Sequence, residues 1–436
     1  MLTIKYLNEL LQTLYPSQIP GKSRKLSLDF KLALSSKLEL TMYNQIRRDF
    51  EMYNFTHDIG TIVHFGKGQI EKLPAAVKEY ANKVLLTYGG GSVKKNGVYD
   101  AVVKGFKENG IEWVELSGID PNPRITSVRE GQKICKEQGI EAIVAIGGGS
   151  TLDCSKAIAC AAFYDGDPWD LWTRKAPIEK ALPLLTVLTL SATGSEMDTG
   201  GVITNLETND KLGCGAPILR PKVSILDPEY TYTVSKYQTA AGTADIISHV
   251  LEVYFSRETD AYLQDRFCEA LLKTAIHYGR IAMDEPTNYE ARANLMWTSS
   301  LAINDMIANG KGCAWSVHPM EHELSAFFDI THGVGLAILT PAWMEHVLSD
   351  ATVDKFVEYA KNVFDIPVEG KDKFAVAKEA IAATKKVFTD MDIPTKLREV
   401  GIPEDSLETM AGKLNIPEAY VPLTSKDVLE IYKACY

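Results

Sequence analysis

The chain has 436 residues, enough for two to three domains that each bury a core. Apolar residues make up 45% and charged residues 24%, the balance of a globular protein, which excludes a disordered chain. A formal net charge of −11 argues against nucleic acid or an anionic membrane as the main partner. Seven cysteines without a CxxC pair suit a reducing compartment, and no uninterrupted apolar run approaches a membrane span, so the expected location is the cytoplasm.

Residues 1–51 differ in texture from the rest. Residues 2–15 predict a short amphipathic helix, 16–25 a basic, turn-like link, and apolar residues on even positions from Leu26 to Met42 predict strands. The expectation is an appended segment that carries no chemistry, with Met52 as an alternative start. A β-ribbon packed on a partner subunit is the competing reading. The charged-then-apolar layout of a signal peptide does not occur here.

From Met52 the chain alternates. Strands are predicted at 60–65, 83–88, 112–116, 142–146 and 184–190, with helices at 70–82, 97–109 and 127–138 between them. Such alternation predicts right-handed βαβ units and a parallel sheet. After about Tyr237 strand signals stop, and eight helical stretches follow, from Ala240–Phe255 to Ser425–Tyr432. The predicted organisation is an α/β domain with a parallel, Rossmann-like sheet over 52–236, then an all-helical domain over 237–436.

Two predicted strands end in the same tetrapeptide, Gly89-Gly90-Gly91-Ser92 and Gly147-Gly148-Gly149-Ser150. Glycines let backbone approach a phosphate, and a helix N-terminus beyond them offers unpaired N–H groups and positive partial charge. Taken singly, each loop also reads as a tight turn, and Ser150 with Asp153 fits a capping pattern. Two on one sheet point to a dinucleotide. Between Tyr88 and Asn96 no acid is available for a ribose 2′-hydroxyl, while Ser92, Lys94 and Lys95 suit a 2′-phosphate, which favours NADP(H) over NAD(H). The competing reading of the lysines is a solvated helix start.

Three of the eight histidines fall between His318 and His332, among Met320, Leu324, Phe327 and Phe328. Neutral imidazole is a frequent metal ligand. Asp245 and His249 lie four apart in a helical run, which sets their Cβ atoms about 6 Å apart on one face. Such a pair is also an ordinary helix-surface pair. Pro319 suits a first helical position, so His318 is read as an N-cap, His322 as first-turn, and His332 as a turn or helix start.

From Met52 onward the chain resembles the iron-containing (group III) alcohol dehydrogenases. It is most similar to their NADP-dependent butanol dehydrogenase and broad-range aldehyde reductase branch. The resemblance rests on Gly60–Gly68, the two GGGS loops with Thr151-Leu152-Asp153, Thr193-Gly194-Ser195-Glu196, Ala241–His249, and His318–Gly333. It implies one divalent metal held by Asp245, His249, His318 and His332, with His322 a proton relay beside the substrate. For NADP(H) it implies Gly89, Gly90 and Ser92 at the 2′-phosphate and Gly148, Gly149 and Ser150 at the pyrophosphate. Asp153, Thr189, Thr193 and Lys211 would then lie along the ribose and nicotinamide. The branch also implies a homodimer.

Three imidazoles and one carboxylate suit Fe²⁺ or Zn²⁺ without separating them. The expected reaction is hydride transfer between NADP(H) and small aliphatic alcohols or aldehydes, running toward aldehyde reduction. Met197, Phe327, Phe328, Trp169 and Trp172 are candidates for an apolar substrate wall; the alternative is that they fill core. Two competing classes are a dehydroquinate synthase-like lyase using NAD and a metal, and a non-catalytic nucleotide or metal binder. The lyase would need several Lys or Arg converging on the metal, where only Lys311 is near in sequence.

Overall fold

The computed structural model describes residues 52–257 and 260–436, so the expectations for residues 1–51 lie outside it. Six parallel strands form one sheet. They begin with β1 (Ile62–Phe65), β2 (Lys83–Tyr88), β3 (Glu112–Leu116), β4 (Ala142–Gly147) and β5 (Leu184–Leu188). An antiparallel hairpin, β6 (Gly200–Asn205) and β7 (Asp210–Gly215), then intervenes before the sixth sheet strand, β8 (Val223–Leu226). The sheet order is β1-β8-β5-β4-β2-β3.

Both faces of the central strands β2, β4, β5 and β8 are buried, which is why these read as largely continuous apolar runs, whereas the edge strands β1 and β3 are partly exposed. Val84, Leu86, Val144, Ile146 and Val187 point to one side, against α1 (Leu73–Lys78) and, past the single turn α2 (Ser92–Lys95), α3 (Val98–Glu108). Leu85, Ile143, Ala145 and Leu184 point to the other, against α4 (Ile125–Gln138) and α5 (Gly149–Ala161). The short α6 (Trp169–Trp172) joins the second layer. Neighbours β2 and β4 are where the chain's course reverses: β2 steps outward to β3, whereas β4 leads the other way through β5 to β8. The carboxyl ends of those two strands carry the GGGS loops, at the point where such a sheet opens a crevice for ligands.

Past β8 the described residues form helices and no further named strand. These are α7 (Lys236–Tyr254), α8 (Tyr262–Asp284), α9 (Tyr289–Ile303), α10 (His318–Phe328) and α11 (His332–Val347). They are followed by α12 (Val353–Phe364), α13 (Lys373–Asp390), α14 (Leu407–Gly412) and α15 (Ser425–Ala434). Every residue of α7 from Thr239 to Tyr254 is buried, because α8, α9 and α11 surround it. A helix covered on all sides needs no solvated stripe, and Ala, Gly, Ile and Val fill half of the positions from Thr239 to Tyr254. No helix among the described residues is long and apolar enough to cross a membrane.

The predicted helix at 70–82 is a 3₁₀ turn, Gln69–Lys72, running into α1 and ending by Lys78. Pro74 sets that break, since proline is tolerated at a helix start and not inside one. The hairpin and β8 are absent from the sequence prediction; glycines at Gly200, Gly201, Gly213 and Gly215 weaken the strand signal of β6 and β7.

Candidate metal and cofactor site

Three helices bring the ligand candidates together. Asp245 and His249 lie one turn apart on α7; His318 and His332 are the first residues of α10 and α11. Gly333 permits the approach of α11 to α7: a Cβ there would collide with the backbone carbonyl of Ala241, one turn before Asp245. From Asp245 Oδ1 the separations are 3.8 Å to His318 Nε2, 3.7 Å to His332 Nε2 and 3.7 Å to His249 Nδ1. Asp245, His318 and His332 each offer a ligand atom within 4.8 Å of the others. His249 stands beside this group with its ring stacked on His318, centroids 4.6 Å apart.

The decisive feature is what these atoms lack. Asp245 Oδ1, His249 Nδ1 and His318 Nε2 are buried and have no hydrogen-bond partner. Unsatisfied buried polar atoms are rare and costly. Asp245 Oδ1 and His318 Nε2 gather with a ligand atom of His332 in a way that fits a cation, and His249 Nδ1 lies to one side, 3.7 Å from Asp245 Oδ1. Burial would raise the Asp245 carboxyl, but the three imidazoles outweigh it and hold it down at about 2. Burial holds His249 at about 4. Burial also opposes the charged form of His318, yet Glu252 and Asp245 raise it to about 9.

Two buried glutamates that sequence reasoning missed stand behind the histidines. Glu252 accepts from the backbone N–H groups of Ser316, Val317 and His318 at 2.8–2.9 Å and faces His318 Nδ1 at 3.1 Å. His318 is therefore not an N-cap: Val317 occupies that position, and Glu252 satisfies the open amides from another helix. Glu321 contacts His332 Nδ1 and Ser325 Oγ, and Lys211 Nζ reaches its Oε2 at 3.3 Å. Lys211, expected along the cofactor, is drawn on β7 against Glu321 and His332. His322 shares a cavity with His318 and His332, and its ring centroid lies 5.6 Å from that of His332. Burial, then the charges of Lys211 and His332, keep His322 well below the ordinary histidine range.

A trough of about 770 Å³ runs from the first glycine loop to this cluster. Gly89, Gly90, Ser92, Gly148, Gly149, Ser150, Thr189 and Thr193 line it at one end, and Asp245 and His332 at the other. It meets a second cavity of about 490 Å³ that holds Asp153, Lys211, His249, His318 and His322. Helix α5 starts at Gly149 with Gly148 as N-cap, which leaves its first amides without a capping side chain, and its first residues line the trough. The capping reading of Ser150 and Asp153 thus fails. Asp153 instead accepts from Ser195 Oγ at 2.6 Å and Val202 N–H at 2.9 Å, pinning α5 to β6.

Several sequence expectations need correction. Lys94 lies over the rings of Tyr88 and Tyr99 and 3.9 Å from Glu115, away from the trough lining. Asp120, not foreseen, lines the trough near Gly89 and Ser92. Trp169, Trp172 and Met197 are core residues, and Phe327 and Phe328 pack on the helical core; the apolar side of the smaller cavity comes from Ile303, Trp315 and Pro319. Lys311 is bound by Asp265 at 2.7 Å, away from the ligand group.

Comparison with known proteins gives the family. Residues 60–228 match "Iron-containing alcohol dehydrogenase", and residues 239–436 match "Fe-containing alcohol dehydrogenase family, C-terminal". The chain belongs to the iron-containing alcohol dehydrogenase family. NADH-dependent butanol dehydrogenase A of Clostridium acetobutylicum is 54% identical over 390 residues, 88% of this chain and 100% of that one. NADPH-dependent aldehyde reductase YqhD of Escherichia coli is 41% identical over 367 residues, 83% and 93% of the two chains. The solved NADH-dependent butanol dehydrogenase A from Thermotoga maritima superposes with a TM-score of 0.84 at 40% identity, covering 88% and 99%. The family makes this chain an alcohol/aldehyde oxidoreductase with a metal and a nicotinamide cofactor, and the lyase reading has no support.

Proposed function

We propose that Asp245, His249, His318 and His332 hold one divalent ion, Fe²⁺ or Zn²⁺, and that the chain reduces small aliphatic aldehydes to alcohols with NADPH. The observation that carries the reading is the gathering of ligand atoms from Asp245, His318 and His332, two of them buried and orphaned, at the end of a glycine-lined trough. In this division of labour, residues 52–236 take the dinucleotide and residues 237–436 supply the metal ligands. When bound, the metal supplies Lewis-acid polarisation of a substrate oxygen and the nicotinamide supplies hydride.

The remaining work falls to the chain. Gly148, Gly149 and Ser150, at the uncapped start of α5, take the pyrophosphate through backbone N–H groups. Thr189 and Thr193 line the trough between that point and the ligands and position the ribose and nicotinamide side. Asp153 and Lys211 act on the same side through the contacts that hold β6 and Glu321. His322, neutral by virtue of its surroundings, can accept a proton on one ring nitrogen and release one from the other. Ile303 and Trp315 offer apolar surface for an alkyl tail.

Gly89, Gly90 and Ser92 present no carboxylate, which supports NADP(H). A second reading, NAD(H), is favoured by Asp120 at the same end of the trough and by the NADH-dependent butanol dehydrogenases among the relatives. Seven cysteines without a disulfide fit a cytoplasmic enzyme, and a homodimer is the assembly proposed. The test is NADPH consumption with butyraldehyde, with and without chelation and metal return. Metal-dependent turnover is expected, with His322→Gln lowering kcat at unchanged metal content. Full turnover after complete chelation would refute the reading.

A further inference from the structure

Each of the two histidines that open a helix in the site has its far ring nitrogen facing a buried carboxylate. His318 Nδ1 faces Glu252 at 3.1 Å, and His332 Nδ1 contacts Glu321. Glu252 is 1% exposed and Glu321 is fully buried, so neither is a solvated helix acid. A buried carboxylate is tolerated only when its lone pairs are filled. Glu252 achieves this with three backbone amides and one imidazole. Glu321 does so with Ser325 Oγ, Lys211 Nζ and one imidazole, all of them side chains.

We propose that Glu252 and Glu321 are positioning residues that fix His318 and His332 as the tautomers with Nε2 free for a metal. An imidazole whose Nδ1–H donates to a carboxylate has its Nε2 lone pair exposed and its ring orientation set. Both Nε2 atoms point at Asp245 Oδ1, at 3.8 and 3.7 Å, as this requires. The placement follows from helix periodicity. Asp245, His249 and Glu252 stand at i, i+4 and i+7 on one face of α7, and His318 and Glu321 at i and i+3 on α10. Lys211 offsets the charge of Glu321, so the pair adds orientation without leaving a second uncompensated anion beside Asp245.

The proposal rests on the metal-site reading above, and the test separates the two. Co²⁺ affinity of the full chain is measured by visible absorption and chelator competition for wild type, Asp245→Asn, Glu252→Gln and Glu321→Gln. Thermal unfolding of each metal-free protein runs alongside. Asp245→Asn is expected to abolish binding. Glu321→Gln and Glu252→Gln are expected to lose roughly 10- to 100-fold in affinity. Glu252→Gln also uncaps three amides and is expected to lower the metal-free melting temperature. Glu321→Gln frees no backbone amide but leaves buried Lys211 without its counter-ion, so a lower metal-free melting temperature is expected there too. The deciding readout is an affinity loss in Glu321→Gln larger than that drop accounts for. If Asp245→Asn loses metal while Glu321→Gln binds as wild type, the metal site stands and the positioning role falls. If Glu321→Gln loses affinity only in proportion to a lowered metal-free melting temperature, its role is structural and the proposal is overturned. If Asp245→Asn keeps full affinity, both readings fall.

Discussion

Replacing Gly333 by alanine tests whether the close approach of α11 to α7 builds the site. The added Cβ would overlap the carbonyl oxygen of Ala241, with the Ala241 carbonyl carbon at 2.7 Å and its Cα at 3.2 Å. Carbon atoms rest at about 3.5–4.0 Å, so the helices must part by on the order of an ångström. The obstructing atoms are backbone, and α7 is buried from Thr239 to Tyr254, so neither rotamer change nor sliding relieves the clash. Overpacking of this kind costs about 1–3 kcal/mol, and the upper end is expected here. A shift of roughly 1 Å at His332 should also lower kcat about 100-fold. Differential scanning calorimetry, bound-metal assay and turnover with NADPH and butyraldehyde check both effects. Gly412→Ala, where an added Cβ meets nothing within 4 Å, serves as the control and should be neutral. Wild-type melting and turnover in Gly333→Ala would refute the argument that backbone proximity sets the site.

Much of this arrangement is legible in the sequence. β2 and β4 are readable to within a residue because each is a short apolar run closed by a turn, the pattern of strands buried on both faces. The edge strand β3, with Glu112 and Glu115, is readable from its place between two helices. The hairpin β6–β7 is not, since it packs over α5 and α10 with glycines at its ends rather than an alternating stripe. The i, i+4 spacing of Asp245 and His249 was readable because helix geometry alone sets it. Glu252 extends the same face, but a glutamate on a predicted helix reads as solvated until burial is known. Aromatic neighbours misled for a related reason: Trp169 and Trp172 are as apolar in a core as in a pocket, and only the tertiary path puts Trp315 beside His249 and His318 instead. Lys94 failed as a phosphate candidate because Tyr88 and Tyr99 capture it, a contact made by side chains from separate elements.

Two further expectations follow from residues outside the ligand cluster. Asp120→Asn removes the carboxylate at the Gly89–Ser92 end of the trough, and kcat/KM for NADPH should rise relative to NADH by roughly fivefold, the worth of about 1 kcal/mol for a partly solvated charge. An unchanged ratio in side-by-side initial rates removes Asp120 from cofactor selection. The second concerns Glu196, fully buried where the loop after β5 meets α9, with Ser300 on one carboxyl oxygen and no partner on the other. Burial, only partly opposed by the Ser300 hydroxyl, raises its carboxyl from 4.5 to about 7. The unfolded chain then releases this proton before the folded chain does, so the unfolded state binds fewer protons between those two values. Stability from this group is complete below 4.5 and drains away as pH rises through about 7. At about 1.4 kcal/mol per pH unit the loss approaches roughly 3 kcal/mol. Glu196→Gln keeps the shape and removes this titration, so between pH 5 and about 8 its urea midpoint should fall less than that of the wild type, which carries the Glu196 loss on top of that from the raised Asp153 carboxyl. Parallel pH profiles for the two proteins would show that Glu196 is already ionised in the fold, and that its second oxygen has found a donor.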